Sequence, residues 1–115
     1  DLGDNQGAIA DFNQTLKINP NEAEAYSSRG TVRLKLGDKQ GAIADCNQAL
    51  KIDPGEVGAY IIRGGARYAL GDKRGAITDL EKAADLLKQQ GKIDDYQKVL
   101  KVIELYKQQG GDRRR

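Results

Sequence analysis

Shifted by 34 residues, this 115-residue chain falls onto itself. Residues 2–20, LGDNQGAIADFNQTLKINP, return at 36–54 as LGDKQGAIADCNQALKIDP, with 15 of 19 positions identical. The differences are Asn5/Lys39, Phe12/Cys46, Thr15/Ala49 and Asn19/Asp53. A third copy opens at Leu70 as LGDKRGAITDLEKA and then drifts. The rest of the unit repeats too: Ala25, Tyr26, Arg29 and Gly30 return as Ala59, Tyr60, Arg63 and Gly64. A unit this short cannot enclose a core of its own. It must bury its apolar face against neighbours, so the repeat dictates a stack.

Each unit reads as two helices. The first runs over about 22–36, entered after Pro20 and capped by Asn21. Gly37 breaks the chain and Asp38 caps the second helix, which runs over about 39–52 and stops before Pro54. Ala42, Ile43, Cys46, Ala49 and Leu50 recur at helical spacing on one face of it. Asp4 and Asp72, at the same offset as Asp38, read as caps of the neighbouring copies, and Gly3 as the matching turn. Glycine inside a helix costs roughly 1 kcal/mol against alanine. Finding it at both Gly30 and Gly64 therefore implies close approach of two helices.

The chemistry of an active site is missing. There is no histidine, and the single Cys46 forms neither a metal cluster nor an internal disulfide. Cys46 stands where the other copies have Phe12 and Leu80, which makes it a core residue. The segment 71–75, GDKRG, lacks the order of a phosphate loop, and Asp94 and Asp95 complement a helix start. No catalytic residue, metal or cofactor is expected. Formal charge is +2, but Arg113, Arg114 and Arg115 supply three positive charges and the remainder sums to −1. The body has no basic excess to draw it to nucleic acid or an acidic membrane. No apolar run is long enough to insert in a membrane, no signal segment opens the chain, and a cytoplasmic location is expected. The opening Asp1-Leu2-Gly3-Asp4, without a start methionine, reads as an excised or processed piece.

The 34-residue period together with Tyr26, Gly30, Gly37, Ala42, Ala49 and Pro54 resembles the tetratricopeptide repeat (TPR) family over about residues 2–88. The wording LGDKQGAIADCNQALKIDP resembles the type abundant in cyanobacterial proteins. The resemblance implies an all-α fold: a right-handed superhelical stack of antiparallel helical hairpins with a C-terminal capping helix. A single domain, 1–115, then divides into an orphan second helix (2–20), two hairpins (21–54 and 55–90), a capping helix (92–109) and a disordered basic tail (110–115). The capping helix carries Ile93, Tyr96, Val99, Leu100, Ile103 and Tyr106 on one face; a partner-binding amphipathic helix is the alternative.

The family also implies a non-catalytic scaffold that binds a protein or peptide along its concave, first-helix face. The groove positions map onto Glu24, Ser27, Thr31, Leu34 and Lys35, then Gly58, Ile61, Gly65, Tyr68 and Ala69, with Tyr68 and Ile61 as the apolar anchor. Members that grip acidic chaperone tails carry lysine and asparagine where this chain has Ser27, Thr31, Ile61 and Gly65, so no such binding is expected. The alternative is a structural or self-associating module. In that case the stripe of Ile9, Phe12 and Leu16 on the orphan helix forms a homo-oligomer, or is covered by further repeats upstream.

Where the family usually has leucine and tyrosine in the first helix, this chain has Arg29 and Arg33, then Arg63 and Arg67. Each pair is spaced i, i+4 and shares a helix face. Asp11, Asp45 and Asp79 recur with the same period on the second helices. Two readings stay open: a ladder of Arg–Asp pairs between helices, or a site for an anion or acidic peptide.

Overall fold

A computed structural model describes the backbone of residues 2–113 and the side chains of 3–109. It contains six α-helices and, among the described residues, no strand: α1 (Leu2–Ile18), α2 (Ala23–Lys35), α3 (Lys39–Ile52), α4 (Val57–Ala69), α5 (Lys73–Gln89) and α6 (Ile93–Arg113). Each helix packs on the next in sequence, and α2 also touches α4. The result is a helical-hairpin stack measuring 48 × 31 × 23 Å. No described helix is long and apolar enough to cross a membrane.

The turns are explained by local chemistry. Gly37, Gly71 and Gly91 adopt φ of 86°, 91° and 75°, the left-handed region that closes a helix C-terminus. Asp38 and Asp72 then cap the succeeding helices, their carboxylates accepting the amides of Gly41 and Gly75 at 2.9 Å. The first copy departs from this pattern. Helix α1 runs unbroken from Leu2 through Gly3. Asp4, expected as its cap, lies within the first helical turn of α1. Asn21 does not cap α2. Glu22 holds the cap position without a side-chain bond, and the Asn19 side chain accepts the Asn21 amide instead, as Asp53 does for Gly55. Helix α6 continues four residues past the expected end at 109. Within the basic tail, Arg114 and Arg115 lie outside the described residues, as do the side chains of 110–113.

The core is thin and made of small residues. Ala42, Cys46, Ala49 and Ala59 are completely buried where α3 meets α2 and α4. A Cβ on Gly30 would stand 3.2 Å from the carbonyl oxygen of Ala42, and one on Gly64 the same distance from that of Ala76. These two glycines set the helix spacing at the place the repeat indicated. A larger apolar cluster of Leu80, Ala84, Leu87, Val99 and Ile103 fastens α6 to α5, which is how the amphipathic face of α6 is used.

Burial also fixes the chemistry of Cys46. Loss of solvation, with the nearby Asp45 charge adding to it, pushes the thiol up to about 12 from 9.0. The unfolded chain ionises this thiol first, so its contribution to stability is complete below pH 9 and is lost as pH rises from 9 through about 12. Between pH 9 and 11 the unfolding free energy of the native chain is expected to fall more steeply than that of Cys46→Ala. At neutral pH a thiol reagent should label Cys46 only as fast as the chain opens.

Candidate peptide-binding groove

The four arginines settle into one arrangement, built twice. Asp45 on α3 accepts from Arg29 through Nε at 2.9 Å and Nη2 at 2.7 Å, and from Arg33 Nη1 at 3.0 Å. Asp79 on α5 accepts from Arg63 at 3.0 and 2.7 Å and from Arg67 at 2.9 Å. The carboxylates are buried, at 3% and 2% exposure. The hydrogen bond to the aspartate raises Arg29 and Arg63 above the ordinary arginine range, against the opposing effect of burial. The remaining Nη1 of Arg29 donates back to Asn13 on α1 at 2.7 Å, and that of Arg63 to Asn47 on α3 at 2.8 Å. Each first arginine thus ties three consecutive helices. Of the two readings, the ladder is the one formed, and these guanidinium groups are not an open anion site. The part played by the asparagines goes beyond what the sequence suggested, although Asn13 and Asn47 share the 34-residue spacing.

The expected groove positions divide into three groups. Glu24, Ser27, Thr31, Gly58 and Ile61 come together and line a hollow of about 270 Å³ between α2 and α4. Two of them offer little to a ligand. Ser27 is only 7% exposed and its hydroxyl donates to the Glu24 carbonyl, while the Thr31 hydroxyl donates to that of Ser27. Tyr68 is engaged within the chain: its ring stacks on Tyr106 of α6, with centroids 3.7 Å apart and planes 3° from parallel. Leu34 lies against Gly65, and neither of these, nor Lys35 or Ala69, lines this hollow or its neighbour along α4.

That neighbour is the second half of the groove, which the repeat pattern did not reveal. It is a hollow of about 450 Å³ between α4 and α6, floored by Val57, Ile61, Leu87 and Val99, with Lys92 and Lys98 at its edge. Gly58 and Ile61 belong to both hollows, so the two are continuous along α4. Helix α6, expected as a cap, covers the stack with one face and also walls the groove. On α1, Leu16 is buried at 8% exposure where α1 meets α2, and Ile9 and Phe12 are half-buried. Leu16 is therefore unavailable to the self-association stripe in which the sequence placed it. Among the described residues, no cluster of metal-ligating side chains occurs.

A tetratricopeptide-repeat family profile matches residues 1–57. The Arabidopsis OM64 TPR domain is 32% identical with a TM-score of 0.73, the match covering 76% of this chain and 72% of that one. Together these matches show that the chain belongs to the tetratricopeptide repeat family. The TPR2B domain of yeast Sti1, solved as a complex with pHsp70, is 28% identical with a TM-score of 0.86, covering 93% and 86%. The second TPR of Spaghetti (RPAP3), bound to the HSP90 peptide SRMEEVD, is 28% identical with a TM-score of 0.71, covering 73% and 78%. No curated protein sequence matches the chain significantly.

Proposed function

We propose that this chain is a non-catalytic interaction scaffold that takes an apolar-anchored peptide or protein segment in the groove of α2, α4 and α6. The observation that carries this is the pair of hollows that share Gly58 and Ile61, the one toward α6 floored by Val57, Ile61, Leu87 and Val99. Apolar floors with a few charged groups at the edge suit capture of a side chain with orientation set at the rim. Two family members at 28% identity, one solved as a complex with pHsp70 and one bound to the HSP90 peptide SRMEEVD, support an interaction role. Affinity for a single peptide is about micromolar, near −8 kcal/mol.

The anchor is placed at Ile61 with Val57 and Val99, in preference to Tyr68. Acidic chaperone tails are not the ligand, because Ser27, Thr31, Ile61 and Gly65 supply no lysine or asparagine for the carboxylates. The cyanobacterial-type wording of the repeat and a cytoplasmic setting, where the free Cys46 stays reduced, belong to this proposal as well. Peptides enriched from a display library are expected to lose at least tenfold in affinity to Ile61→Asp while the chain keeps its helicity. Equal binding by Ile61→Asp, or tight binding of a chaperone C-terminal peptide, would overturn the assignment.

A further inference from the structure

The two hollows along α4 differ in charge. Of the residues that line the hollow between α2 and α4, the charged ones are Glu24 and Glu56, both acidic. The hollow between α4 and α6 has charges of both signs, Glu56 and Asp95 against Lys92 and Lys98, around its floor of Val57, Ile61, Leu87 and Val99. Glu56, like Ile61, belongs to both hollows.

Several acids of this chain are used internally. Asp45 and Asp79 hold arginines, and Asp38 and Asp72 cap helices. Glu24 and Glu56 do neither. Glu56 occupies the N-cap position of α4 without a side-chain cap bond, and neither carboxylate makes a hydrogen bond or ion pair among the described residues. Each complements the positive start of its helix, a role that any orientation of the side chain serves. Glu56 is more specifically placed. It is half-buried, and its Oε1 lies back along α4 toward Gly58, where a Cβ would stand 3.6 Å from it. The hydroxyls in the same hollow do not answer these carboxylates, since Ser27 and Thr31 donate to main-chain carbonyls of α2.

We propose that the groove selects segments that carry a lysine or arginine beside their apolar anchor, with the cation between Glu24 and Glu56 and the anchor on Val57, Ile61, Leu87 and Val99. The inference rests on the groove reading above and adds to it the charge of the residue next to the anchor. A segment lying in the groove displaces water from both acids. An apolar or acidic neighbour leaves the carboxylates unpaired as solvent is excluded, whereas a cationic neighbour replaces the lost water with charge-assisted bonds. Glu24 stays exposed at the rim, so the pairing acts through selectivity and association rate more than through raw affinity.

The test uses the whole chain and a display library of short peptides with one fixed leucine and randomised flanks. Lysine or arginine is expected to be enriched near the leucine. The best peptide is then titrated as found and with its basic residue changed to glutamine. The native chain should bind the glutamine form about tenfold more weakly, and the difference should close in Glu24→Gln/Glu56→Gln. Added salt should narrow it as well. If the double variant loses helicity, Glu24→Gln alone, at an exposed position, carries the comparison. Changing the leucine of the same peptide to alanine probes the groove itself. If alanine weakens binding and glutamine does not, or if the difference survives in the glutamine variants of the chain, the groove stands and the cation subsite is overturned. Enrichment of acidic residues beside the leucine overturns it too. If the alanine form binds as tightly as the leucine form, or no peptide binds, the groove reading fails and this inference falls with it.

Discussion

Asp79→Ala is expected to lower the unfolding free energy by about 3 kcal/mol. The carboxylate is 2% exposed and holds Arg63 and Arg67 through three charge-assisted bonds. Its removal leaves two guanidinium groups facing each other in a half-buried site, with only Asn47 still accepting from Arg63. The tie from α4 to α3 and α5 therefore loosens together. The arginines keep some access to water, which holds the cost near the lower end for a broken buried pair. Asp11→Ala is the internal control. It alters the same residue in the same repeat position, but Asp11 is exposed, and the change should stay within about 0.5 kcal/mol. Urea unfolding monitored by circular dichroism measures both. Equal costs for the two variants would show that the ladder contributes nothing.

Leu80→Ala, one residue along α5, is expected to cost about 2–5 kcal/mol through a different cause. Leu80 is 3% exposed and belongs to the cluster that joins α5 to α6. Its side chain also lies against Gly64 of α4, so three helices line the space that would be vacated. Helix α6 packs mainly on α5, with Tyr106 also stacked on Tyr68 of α4, and it is the last helix described in the stack, the kind of end unit expected to loosen first. Hydrogen exchange should therefore show the amides of α6 losing protection before those of α2 and α3. Uniform loss across all six helices would mean that the stack unfolds as a single unit.

Much of this architecture was legible because it is periodic and local. A 34-residue repeat with proline and glycine at fixed offsets specifies the number and order of helices. Gly37 and Gly71 mark turns by their left-handed backbone, and Asp38 and Asp72 cap α3 and α5, all within a few residues of chain. The glycines at 30 and 64 announced close helix contact, since nothing else justifies their helical cost. The Arg–Asp ladder was visible as a candidate because the i, i+4 arginines and the aspartates share one period.

The candidate site was legible only in part. Periodicity places a residue on a face but does not say what the next helix brings to that face. Tyr68 looked like an anchor and is stacked on Tyr106, 38 positions away in a helix outside the repeat. Leu16 looked exposed and is buried by α2. Val99, Lys92 and Lys98 complete the groove from α6, whose sequence carries no trace of the 34-residue pattern. The clearest case is the aspartate at 11, 45 and 79. One residue type at one repeat position is a buried ion-pair hub twice and a solvated surface charge once. Helix identity, turn chemistry and spacing reside in the chain itself. Burial, and with it the strength and role of every charge, belongs to the neighbours that fold against it.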